Sequence, residues 1–114
     1  MITVYEKPTC STCRNLVQLL QEKGVSFERL NYIIDPIPRA RLAEITAMTG
    51  GRPHDLVRTR EEAFKAHGRD LGDMSDDEVL DLLSAEPALV QRPIVVNGDK
   101  AVVARPVEKV LTIL

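Results

Sequence analysis

Tryptophan is absent from the 114 residues, and tyrosine, phenylalanine, histidine and cysteine occur only twice each. Two cysteines are too few for a disulfide-stapled scaffold. His54 and His67 lie too far apart for the usual paired-histidine zinc spacing, so no metal is expected. No apolar run is long enough to span a bilayer. The N-terminus has no basic region, apolar stretch or cleavage-like site, so no secretory leader is expected and a reducing cytoplasm is the expected compartment. Charge of one sign is lacking too. The net charge of -2 gives no global reason for nucleic-acid binding. Repeats and low-complexity linkers are also missing, which points to a single domain over residues 1–114, expected to be monomeric.

What is present, 44% apolar residues, suffices for one modest core. Ile2-Thr3-Val4-Tyr5 alternates as a strand. From Thr12 to Lys23, Leu16, Val17 and Leu20 follow helical spacing, with Gly24 placed to end the helix. Val25 to Tyr32 reads as a second strand, which completes a βαβ unit with a parallel pair. A helical stretch at about 36–88 follows. It contains a helix near Arg39 to Met48 and two expected capping boxes, Thr59-x-x-Glu62 and Ser75-x-x-Glu78. Ile94-Val95-Val96, the turn signal Asn97-Gly98 and Ala101-Val102-Val103 read as a hairpin, followed by a C-terminal helix from Pro106.

Cys10 and Cys13, in KPTCSTCRN, sit at the turn between the first strand and the first helix, where C-x-x-C is a thioredoxin-like redox signal. Free N–H groups and the dipole at a helix N-terminus stabilise a thiolate, so Cys10 is expected to ionise below a free thiol, with Arg14 adding positive charge. Cys13 falls on the apolar stripe with Leu16 and Val17 and is expected to be buried. It is either a small core residue or the second thiol of a working pair.

Arg92 and Arg105 each precede a proline at a loop junction, and Arg58 precedes the expected capped helix at Thr59. Guanidinium groups converging on one point would make a receptor for a tetrahedral oxyanion and would aim a nearby thiolate at it.

KPTCSTCRN, DLVRTREEAFK, QRPIVV and ARPVEKVLTIL together, in this order, resemble the glutaredoxin- or glutathione-coupled arsenate reductases across nearly the whole chain. The resemblance implies an α/β thioredoxin-like fold with a mixed four-stranded sheet and an inserted helical segment. It also implies Cys10 as nucleophile and Arg58, Arg92 and Arg105 as the arsenate-holding arginines, and Thr12 is counted with the substrate-binding residues. Pro93 corresponds to the cis-proline that thioredoxin-like proteins place opposite the cysteine turn, so the Arg92–Pro93 bond is expected to be cis.

Two positions depart from that family. Glu6 stands where many members have histidine, and Cys13 where serine is common. The C-x-x-C form is also similar to Spx-type regulators, which bind RNA polymerase, but these generally lack counterparts of Arg58 and Arg105. The phosphatase-like arsenate reductase class needs C-x₅-R. Leu16 and Leu19 occupy the sixth positions after Cys10 and Cys13, which excludes it. The resemblance therefore implies reduction of arsenate to arsenite without a bound cofactor. The reductant is glutathione with glutaredoxin, or else a Cys10–Cys13 disulfide forms and glutaredoxin or thioredoxin reduces it. A general thiol-disulfide reductase and a polymerase-binding redox sensor are the alternatives.

Overall fold

A computed structural model describes residues 2–114, and these divide into two compact units. The first comprises the residues up to Asp35 together with Arg92–Leu114; the second is Pro36–Gln91.

In the first unit, β1 (Ile2–Glu6), α1 (Ser11–Glu22) and β2 (Phe27–Asn31) form the βαβ unit, and β3 (Ile94–Asn97) and β4 (Lys100–Val103) form the hairpin. The sheet order is β2-β1-β3-β4. β1 pairs parallel with β2, with Val4 opposite Arg29, and antiparallel with β3, with Val4 opposite Val95. The mixed four-stranded sheet is therefore the one expected. The chain leaves α1 through Gly24, just past the helix C-cap Lys23, and its φ of +68° is readily adopted only without a Cβ. The hairpin loop is Gly98-Asp99, one residue later than the Asn97-Gly98 signal suggested, because Asn97 still pairs with Lys100. Asn97 is held there by its side chain, whose Nδ2 donates to the Ile113 carbonyl at 2.6 Å.

Ile2 and Val4 of β1, Leu16 and Leu20 of α1, Val95 of β3, Ala104 and Val110 make one buried cluster, with Phe27, Val107 and Ile113 packed against it. Leu16 is fully buried there. Truncating it removes apolar contact and leaves a cavity, so Leu16→Ala is expected to cost about 2–5 kcal/mol of stability. Urea unfolding of the two proteins measures this.

The C-terminal segment corrects an expectation: Val107–Thr112 is a 3-10 helix, not an α-helix. Its bonds run to the third residue back, as in Lys109 N–H to Pro106 O at 3.0 Å. The reason lies in the spacing of Val107, Val110 and Ile113. Three-residue intervals stack on one face of a helix with three residues per turn, and all three meet the cluster.

The second unit contains α2 (Arg39–Thr49), α3 (Glu62–His67) and α4 (Asp76–Ala85), with short 3-10 turns between them. α2 packs on α4, and Arg39 Nε donates to Asp81 Oδ1 at 2.6 Å. The Ser75 box forms as expected: Ser75 Oγ accepts from Glu78 N–H at 3.2 Å, and Glu78 Oε1 accepts from Ser75 N–H at 3.0 Å. The Thr59 box does not. The chain turns over residues 58–61, with Glu61 N–H bonded to Arg58 O at 3.2 Å, so helix α3 starts after Glu61 and Thr59 is left in the turn. No helix among the described residues is long and apolar enough to cross a membrane.

Candidate active site

β1 ends at Glu6, and the chain turns through Lys7, Pro8 and Thr9 before α1 begins. Cys10 closes this turn, its N–H bonded to Lys7 O at 2.9 Å, and its own carbonyl accepts the first helical bond, from Arg14 N–H at 3.1 Å. It therefore occupies the N-cap of α1, partly exposed. A side chain at that position faces the unbonded N–H groups of the first turn.

The electrostatics follow from that placement. Partial burial works against ionisation of Cys10. The Cys13 N–H, the Cys13 thiol, the Arg92 guanidinium and the Thr12 N–H together outweigh it and hold the pKa down at about 7. Cys10 is therefore ionised more readily at neutral pH than a free thiol. Cys13 is fully buried on the inner face of α1. Burial pushes its thiol up to about 12; the Lys7 N–H opposes this, while Cys10 and the Glu6 charge reinforce it. The pair is thus split into an ionisable outer thiol and a neutral inner one that donates a hydrogen bond to it.

Arg92 is 8% exposed, unusual for so strong a base. Burial opposes its charge, but the Tyr32 hydroxyl and the Cys10 sulfur accept its hydrogen bonds and hold its pKa above the ordinary value. The Arg92–Pro93 bond is cis, as expected, and so is Arg105–Pro106. Buried Pro93 offers its carbonyl to Ala104 N–H at 3.0 Å, which ties the loop before β3 to the end of β4. Arg105, itself exposed, donates through Nη1 to the Arg92 carbonyl at 3.0 Å.

The first unit therefore brings together Cys10, Thr12, Cys13, Arg92, Pro93 and Arg105. Arg14 is exposed on the first turn of α1, and the positive charge acting on Cys10 is that of Arg92. Arg58 belongs to the second unit, where its N–H donates to Leu89 O at 2.7 Å and its Nε to Glu61 Oε1 at 3.0 Å.

Tyr32 was not singled out in the sequence, and Glu6 only as a departure from the family pattern. Tyr32, fully buried, anchors Arg92 from just beyond β2, and Glu6 is a buried carboxylate at the end of β1. The signal that finds them is topological. The parallel β1–β2 pair brings both strand C-termini to the same edge of the sheet, and that edge is where α/β sheets hold their ligands.

Residues 5–113 match the ArsC family. The chain is 35% identical over 114 residues to an arsenate reductase of Haemophilus influenzae, covering 99% of this chain and 98% of that protein. It is 31% identical over 97 residues to the global transcriptional regulator Spx of Streptococcus agalactiae, covering 85% of this chain and 71% of that one. The solved structure of an arsenate reductase from Vibrio cholerae superposes with a TM-score of 0.92 at 31% identity, over 99% of this chain and 97% of that one.

Proposed function

The chain belongs to the ArsC family, and from that membership and the geometry of Cys10 we propose that it reduces arsenate to arsenite by thiol chemistry. The observation that carries the reading is a thiol with a pKa of about 7 that touches both a buried arginine and a second, protonated thiol. The Cys10 thiolate attacks arsenic(V); a sulfur–arsenic bond forms and hydroxide leaves. Arg92 and Arg105 hold the adduct's negative oxygens, and Arg58 is assigned to the same task by its place in the family motif. Thr12 contributes from the cysteine turn.

The Cys13 thiol then loses its proton as its sulfur attacks the Cys10 sulfur. The sulfur–arsenic bonding pair stays with arsenic, which leaves as arsenite, and a Cys10–Cys13 disulfide remains. A dithiol reductant, thioredoxin or glutaredoxin, returns both cysteines to thiols. Glutathione attack on the adduct is the competing route. The contact between the two thiols favours the internal one. Arsenite production from arsenate, with NADPH-linked thioredoxin or glutathione and glutaredoxin, tests the reading. Disulfide reduction without any arsenite would leave a general thiol reductase.

Cys13→Ser separates the two routes. It is expected to abolish thioredoxin-driven turnover and to accumulate Cys10 as a mixed disulfide with glutathione, seen by intact-mass measurement. Unchanged kinetics with every donor would return Cys13 to a packing role.

A further inference from the structure

Side chains alternate along β1, and Ile2 and Val4 both pack with Leu16 and Leu20 of α1. Glu6 is the next residue on that face, and Cys13 is the next buried position along α1 after Leu20 and Leu16. A strand and the helix that follows it run in opposite directions, so the last members of the two rows, a carboxylate and a thiol, lie at the same end of the strand–helix pair. The Lys7 N–H, one residue beyond Glu6, bonds the Cys13 sulfur, and the Glu6 charge acts on that sulfur.

Glu6 is 2% exposed, and its two oxygens are treated differently. Oε1 accepts from Arg29 Nε at 2.5 Å, from the position in β2 paired with Val4. Oε2 is buried with no hydrogen-bond partner among the described residues. A buried carboxylate oxygen is seldom left so, and packing alone would be served better by an apolar side chain. What the second oxygen lacks is a proton donor, and the neutral thiol of Cys13 is one.

We propose that Glu6 is the proton acceptor for Cys13, taking the thiol proton on Oε2 as the Cys13 sulfur attacks Cys10. This rests on Cys13 being the resolving thiol, as proposed above. In that step the Cys13 S–H bond breaks and the proton moves to Glu6. The Cys10–Cys13 bond forms, and the electron pair that held Cys10 to its partner leaves with that partner. Arg29 fixes the carboxylate through Oε1 and leaves Oε2 free for the transfer.

Glutathione disulfide tests this without arsenate. Cys10 attacks it to give a Cys10–glutathione mixed disulfide and one glutathione thiolate; Cys13 resolves this to the internal disulfide and a second glutathione. The two steps are followed by acid quench and mass spectrometry. Glu6→Gln is expected to form the mixed disulfide at the wild-type rate and to resolve it at least about 10²-fold more slowly, the usual share of a positioned base. Should Glu6→Gln not fold, Glu6→Asp, which keeps the carboxylate but withdraws it by a methylene, is expected to slow the same step alone. Resolution at the wild-type rate in the variant overturns the proposal, as does an equal slowing of both steps. A wild-type protein that stops at the mixed disulfide overturns instead the resolving role of Cys13.

Discussion

Cys10→Ser is expected to lower arsenite production to the uncatalysed background, whichever reductant is supplied. A serine hydroxyl has no base beside it to remove its proton, whereas the Cys10 thiolate is already substantially formed at neutral pH because its pKa is about 7. The same substitution has a signature in stability. The folded protein holds the Cys10 thiolate better than the unfolded chain does, since an unfolded thiol ionises near ~8.5. Wild-type stability therefore gains from ionised Cys10 as pH rises from about 7 to roughly 8.5, and this gain is lost as pH falls through the folded value. Cys13, pushed up to about 12, acts in the opposite sense above that window, because the unfolded chain then releases a proton that the folded one retains. Cys10→Ser is expected to lack the rise between pH 7 and ~8.5 and to keep the later fall. Denaturant midpoints measured across pH for both proteins check this, and an identical rise in the variant would refute the activated thiolate.

Those thiols illustrate what the sequence makes legible. The C-x-x-C turn, the βαβ unit, the hairpin and the Ser75 box are fixed by rules that act over a few residues, and all of them appear in the structure. The Thr59 box obeys the same local rule and yet is absent. Leu89 accepts the Arg58 N–H and Glu61 accepts the Arg58 side chain, so the backbone turns where a helix start was expected. The C-terminal 3-10 helix is likewise chosen by the cluster that Val107, Val110 and Ile113 reach.

At the site, the arginines look equivalent in the sequence, because Arg92 and Arg105 both precede proline. The structure makes them unlike: Arg92 is buried between Tyr32 and Cys10, whereas Arg105 stays exposed and braces the Arg92 backbone. Tyr32 carries no motif, and its partner is sixty residues away along the chain. Glu6 reads as a departure from a family pattern, and only the burial of its unbonded oxygen gives it a task.

Arg92→Gln is expected to reduce kcat/KM for arsenate by about 10²-fold or more, the scale on which a single oxyanion donor acts. Two losses combine. The first is a charged ligand for the adduct's oxygens. The second is the thiolate itself, because the Arg92 guanidinium donates to the Cys10 sulfur and is the cationic group that lowers its pKa. Removing that charge raises the Cys10 pKa from about 7 toward the free-thiol value near ~8.5. The rate of Cys10 alkylation against pH measures this part alone, and its midpoint is expected to move upward. Tyr32→Phe divides the effect further. It leaves the charge in place but removes a hydroxyl that accepts from the guanidinium, so Arg92 is less firmly aimed. The arsenate KM is expected to rise more than the alkylation midpoint shifts, since a loosely held guanidinium still contributes charge near the sulfur but binds oxyanion geometry poorly. An alkylation midpoint unchanged in Arg92→Gln would remove Arg92 from thiolate activation and leave the helix N-terminus and the Cys13 thiol as the groups that lower the Cys10 pKa.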